Sequence, residues 1–170
     1  NRRRLAYDEL LANQLALAMI RAAARKRSGR AITGDGRLRE ELTASLPYQL
    51  TSGQRQVLHD IQGDMALPQR MLRLLQGDVG SGKTVVALLA MLAAVETGAQ
   101  AAFMVPTEIL ARQHLQTLTG LCTALSLRIQ ILTGRTKGRP RQALLEDLAS
   151  GQIDILIGTQ VAAKGHHFPM

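Results

Sequence analysis

Tryptophan is absent from this 170-residue sequence, and aromatic residues make up only 2% of it. Stacking on nucleic-acid bases therefore has few donors to draw on: Tyr7, Tyr48, Phe103 and Phe168. A single cysteine, Cys122, excludes an intrachain disulfide. No apolar run reaches the roughly 20 residues of a membrane span, and no signal-peptide pattern opens the chain. No membrane partner is expected, and the expected setting is cytoplasmic. A chain that runs from Asn1 to Met170 is expected to be an excerpt of a longer one.

What is present suits one globular unit: 46% hydrophobic and 20% charged residues, with enough length for a sizeable core. The net charge of +8 is unevenly placed. Residues 1–55 carry 11 Lys or Arg against 5 Asp or Glu (+6), and residues 56–170 carry 10 against 8 (+2). A basic end suits a polyanion, because each neutralised phosphate releases counterions. It is equally the mark of a solvated helix face.

Residues 4–28 repeat Leu5, Leu11, Leu15, Ala18 and Ala22 at helical spacing and end in cations beside a glycine. "TGDGR" (33–37) predicts a turn and "LREELTASL" a short helix. Residues 1–46 are expected to form an accessory segment, and residues 47–170 the main domain. "TSGQ" fits a capping box, with Thr51 as N-cap and Gln54 reaching back, and predicts a helix to about Met65. Strands at 71–76, 101–105, 127–132 and 154–158 then alternate with helices at 83–97, 107–119 and 140–149, the last opening on Pro140. Such alternation predicts an α/β fold, a parallel sheet with helices on both faces.

"GDVGSGKT" matches the phosphate-loop pattern at every position: Gly77, Asp78, Val79, Gly80, Ser81, Gly82, Lys83 and Thr84. An apolar segment precedes it and an apolar helix follows. The glycines let successive N–H groups turn inward onto phosphate oxygens, and the helix adds the positive end of its dipole. Lys83 is expected to reach the β- and γ-phosphates and the Thr84 hydroxyl to bind Mg²⁺, making these two the candidate catalytic residues.

Around this loop, "LPYQLTSGQRQVL" (46–58), "MVPTEILARQH" (104–114) and "LTGRTKGRPR" (132–141) follow in order. Together they resemble the first motor lobe of RecG-type ATP-dependent DNA helicases of superfamily two. The resemblance implies a RecA-like P-loop lobe with an N-terminal helical extension, using ATP and Mg²⁺ to remodel branched or forked DNA in recombination and repair. It implies a second motor lobe and a wedge domain as partners within the parent chain. "YDELLANQLAL" resembles the family's link from that wedge to the motor.

By the same resemblance, Gln54 reads the adenine edge, where a primary amide offers a donor beside an acceptor. Its capping role is an alternative, or a companion. Pro106, Thr107 and Glu108 are implied as DNA contacts, though Thr107 equally suits a plain N-cap. Thr133, Gly134, Arg135 and Lys137 are implied as a second contact, from a cation-rich loop that could also be merely solvated. Gly158 and Thr159 are implied as a third.

Two features depart from the family. Phosphoryl transfer by this class needs an Asp-Glu pair at a strand end, and no acidic residue from Asp60 onward fits. The final stretch, "ILIGTQVAAKGHHFP", resembles a loop of the primosomal replication-restart helicase instead. The parent is therefore expected to hydrolyse ATP, and residues 1–170 alone to be inactive. A non-catalytic nucleotide-binding module that docks on DNA or a protein is the alternative. A small-molecule kinase lacks its lid signature here.

Overall fold

The computed structural model describes residues 2–25 and 28–159. In chain order the elements are α1 (Arg2–Arg25), α2 (Arg37–Ser45), α3 (Ser52–Met65), α4 (Lys83–Val95), β1 (Ala101–Val105), α5 (Glu108–Leu121), β2 (Ile129–Leu132), α6 (Gly138–Ala149) and β3 (Ile155–Thr159). The described strands form one parallel sheet in the order β1-β3-β2.

The central strand follows from its composition. All five residues of "ILIGT" are buried, as expected of a parallel strand paired on both edges and covered on both faces. Its side chains alternate between two cores. Ile155 and Ile157 join the larger cluster beneath α3, α4 and α5, while Leu156 joins Leu132, Leu148 and Ile153 beneath α6. Helices therefore lie on both faces of the sheet.

Helix α4 is the central beam. Seven of its thirteen residues are buried, among them Leu88, Leu89 and Leu92, and each fully buried leucine contributes roughly 1.5–3 kcal/mol. It ends in a reversal in which Ala99 N–H bonds to the Ala94 carbonyl and Gly98 N–H to that of Val95, with Gly98 at φ 75°. The chain then enters β1 at Ala101. The C-terminus of α4 thus sits at the amino edge of the sheet, and its N-terminus, with the phosphate loop, points toward the carboxyl edge.

The capping box at α3 forms as its spacing predicts. The Thr51 hydroxyl accepts from Gln54 N–H at 3.2 Å, and the Gln54 carboxamide oxygen accepts from Thr51 N–H at 2.9 Å.

One predicted strand is absent. Residues 71–76 form no ladder with any described strand. A strand needs a hydrogen-bonded neighbour, and no described backbone hydrogen bond joins this segment to a strand. Met71, Leu72 and Leu74 are accordingly exposed. Leu75 packs on the core, and Arg73 holds the segment to α3 through Asp64 at 2.6 Å.

Residues 28–45 bind closely to this body. Ser28 bridges Gln69, Gly29 N–H bonds to the Pro68 carbonyl and Ile32 N–H to that of Met65. Leu38 and Leu42 of α2 are buried in the larger core. Along α1, by contrast, Tyr7, Leu10, Leu15, Met19 and Ile20 are exposed.

Candidate nucleotide and nucleic-acid site

The phosphate loop curls as its glycines allow. Gly80 and Gly82 take φ of 82° and 79°, a region that side chains with a Cβ avoid. Gly77 has ordinary φ, and a Cβ there would lie 2.7 Å from the Ser81 hydroxyl oxygen, which would have to turn away. Ser81 N–H closes the turn onto the Asp78 carbonyl at 3.2 Å, and Val79 stands fully exposed at the apex.

Lys83 Nζ folds back into the loop and donates to the carbonyls of Gly77 and Asp78, both at 2.7 Å. The ammonium is therefore held in the cradle where a polyphosphate charge would lie. Lys83 also opens α4, and Gly82 before it supplies no side-chain cap. Val85 N–H bonds back to the Gly82 carbonyl at 3.1 Å, and the N–H groups before it, at the positive end of the helix dipole, suit an anion. Thr84, at the second helical position, is half-buried. Its single neutral hydroxyl suits Mg²⁺, which keeps several waters and takes further ligands from phosphates.

Gln54 is committed at both ends of its amide. Its oxygen closes the capping box, and its Nε2 donates to the Ser81 carbonyl at 2.9 Å. It ties α3 to the phosphate loop across a cleft of about 280 Å³ lined by Thr51, Val57, Leu75 and Lys83. Replacing it with glutamate separates its two bonds, because a carboxylate keeps the acceptor for the cap but cannot donate to Ser81. Gln54→Glu is expected to leave the melting temperature nearly unchanged and to weaken ATP binding roughly fivefold, read by calorimetric titration.

The three segments expected to contact DNA converge at one edge. Pro106 and Thr107 follow β1, Thr133 and Gly134 follow β2, and Gly158 and Thr159 close β3. The register sets Val105 against Thr159 and Leu132 against Gly158, so all lie at the carboxyl end of the sheet, the usual ligand edge of such folds. Their accessibility differs. Pro106, Thr107, Gly134, Arg135 and Lys137 are exposed. Thr133 and Thr159 are buried at 2% and 7%, and Gly158 is buried between Leu132 and Met104. Thr107 is the N-cap of α5, its hydroxyl accepting from Leu110 N–H at 3.3 Å. Glu108 lies between two arginines: its Oε1 accepts from Arg112 Nη2 at 2.9 Å, and its Oε2 is 3.4 Å from Arg135 Nε. Sequence reasoning left Arg112 out. The i,i+4 spacing from Glu108 was its legible signal.

Asp154 lies elsewhere. Its Oδ2 accepts from Arg128 N–H at 2.7 Å and its carbonyl from Ala101 N–H at 2.9 Å, which fastens the amino edge of the sheet, opposite the phosphate loop. The stretch "QVAAKGHHFPM" that departs from the family lies outside the described residues.

Comparison with known proteins agrees with this geometry. The sequence profile of the DEAD/DEAH box helicase family matches residues 51–168. The ATP-dependent DNA helicase RecG of Bacillus subtilis strain 168 is 49% identical over 164 residues, which cover 93% of this chain and 23% of that protein. The RecG of Thermotoga maritima is 45% identical over 158 residues, covering 93% of this chain and 20% of that one. Among solved structures, RecG bound to a three-way DNA junction superposes with a TM-score of 0.87 at 43% identity, covering 98% of this chain and 23% of that one. A hypothetical ATP-dependent RNA helicase from Sulfolobus tokodaii, at 19% identity and a TM-score of 0.51, shares the fold. The chain thus spans about a quarter of the curated relatives it matches. It belongs to the DEAD/DEAH box helicase family.

Proposed function

We propose that this chain is the ATP-binding motor lobe of an ATP-dependent DNA helicase that remodels branched DNA in recombination and repair, acting in the cytoplasm. The observation that carries the reading is the shared edge. A phosphate loop with Lys83 in its cradle and three DNA-motif segments lie at the same carboxyl end of one parallel sheet. A nucleotide bound at α4 and a DNA strand crossing β1, β3 and β2 would then act on a common surface. The similar RecG bound to a three-way junction supports DNA as the partner.

In this reading Lys83 neutralises the β- and γ-phosphates and Thr84 gives Mg²⁺ one ligand. Pro106, Thr107, Gly134, Arg135 and Lys137 face the DNA backbone. Buried Thr133, Gly158 and Thr159 shape the strand ends beneath them. Residues 47–170 form the motor lobe, and residues 1–46 form the helical segment leading toward a wedge domain, with Leu38 and Leu42 of α2 packed into the core. A second motor lobe would close over the phosphate loop. No described helix is long and apolar enough to cross a membrane.

The DNA half of the reading is tested by fluorescence anisotropy with labelled forked DNA at stepwise salt. Neutralising Arg135, Lys137 and Arg139 together is expected to weaken binding and to flatten the slope of log K against log salt by about 2–3. An unchanged slope would mean that this loop is only a solvated surface.

A further inference from the structure

Glu108 is a carboxylate on an edge otherwise suited to a polyanion. It opens α5 directly after β1 and Thr107. Each of its oxygens holds a different arginine. Oε1 accepts from Arg112 Nε at 3.2 Å and Nη2 at 2.9 Å, and Oε2 lies 3.4 Å from Arg135 Nε. Arg112 comes from α5 itself. Arg135 comes from the loop between β2 and α6, so the carboxylate joins two elements that the sequence keeps apart.

Stability is a weak reason for this arrangement. The arginine side chains are 62% and 83% exposed, against 24% for Glu108, and pairs this open contribute about 0–1 kcal/mol. An acid at a DNA-facing edge also repels phosphate. What the carboxylate does is orient. A guanidinium held along one edge of its planar fork presents its remaining N–H groups to a second anion in fixed geometry.

We propose that Glu108 is a positioning residue: it holds Arg112 and Arg135 side by side as a two-arginine clamp for backbone phosphates of DNA. Arg112 is then a direct phosphate contact, and Glu108 acts through the arginines rather than touching the strand. The inference rests on the DNA-binding reading above and assigns it a specific geometry.

The sign of one substitution separates this from plain electrostatics. Forked-DNA binding by the 170-residue chain would be measured by anisotropy at fixed and stepped salt. Arg112→Ala and Arg135→Ala are each expected to weaken binding and to lower the salt slope by about 1. Glu108→Gln removes a negative charge, yet it is expected to weaken binding roughly fivefold, because both guanidiniums lose their anchor. Glu108→Asp is expected to restore part of the loss. In an Arg112→Ala, Arg135→Ala background, Glu108→Gln is expected to have no weakening effect. Tighter binding by Glu108→Gln in the otherwise native chain would overturn the proposal and leave Glu108 as a repelling surface charge. Unchanged binding in both arginine variants would overturn it differently, by removing this edge from the DNA path. Thermal melts of every variant are expected to match the parent, which keeps the readout on binding.

Discussion

Replacing Glu96 with alanine is expected to lower the unfolding free energy by about 3–5 kcal/mol, a large share of the roughly 5–15 kcal/mol that holds a domain of this kind together. Glu96 caps the C-terminal end of α4 with only 1% of its side chain exposed. Its oxygens accept from Gly36 N–H at 3.0 Å, Arg39 N–H at 3.1 Å and Arg39 Nε at 3.0 Å. Arg39 Nη2 is 3.0 Å away and also donates to the Gly34 carbonyl at 3.1 Å. Gly34 packs so closely on Glu96 that a Cβ would lie 2.7 Å from the Glu96 Cβ. Alanine at 96 would strand a guanidinium that is only 18% exposed, together with two backbone donors. Glu96→Gln keeps an acceptor and the shape, so its loss is expected to be smaller, about 1–2 kcal/mol. Urea unfolding followed by circular dichroism measures both. Equal midpoints for the native and alanine chains would contradict a clasp at this site and would leave α2 loosely attached.

The second large effect is a missing rate. Residues 1–170 are expected to release no phosphate that depends on Lys83, with or without forked DNA. The sequence has no acidic residue after Asp154, and four of the candidates up to that point are committed elsewhere. Glu108 holds two arginines, and Asp154 fastens the far edge of the sheet. Glu96 is buried in its clasp, and Glu146 pairs with Gln142 along α6. None of these four is free to orient the attacking water, and Asp78 lies within the phosphate loop rather than at a strand end. An arginine reaching in from a second lobe is worth about 10³–10⁵ in rate in related phosphate-loop enzymes. Phosphate release measured against Lys83→Ala decides it. Turnover that needs both Lys83 and DNA would mean that a carboxylate in this chain does reach the cradle.

The parts legible in the sequence were those set by local chemistry. Eight consecutive residues at 77–84 dictate the loop, and Thr51 with Gln54 dictates the cap of α3. Helix α4 and strands β1, β2 and β3 are legible from apolar runs bounded by turns. What escaped depends on partners distant in sequence. The 71–76 run has the composition of a buried strand, but a ladder needs a neighbour that composition cannot supply. Glu96 reads as a polar helix end, and only folding brings it to Arg39, 57 residues away. The loop tie of Gln54 to Ser81 spans 27 residues and was invisible for the same reason. Leu38 and Leu42 belong to the core, a packing that the turn residues and charges around them do not announce.

The central claim is that the loop at the head of α4 binds a magnesium nucleoside triphosphate, and one titration tests it most directly. Purified chain is titrated calorimetrically with ATP and Mg²⁺ beside Lys83→Ala, a substitution that removes the ammonium now held by Gly77 and Asp78. The native chain is expected to bind weakly and saturably, because this lobe would line one side of the proposed interlobe cleft. The variant is expected to show no measurable heat of binding at the same concentrations, while melting as the native chain does. Equal affinity in the two chains would contradict the account.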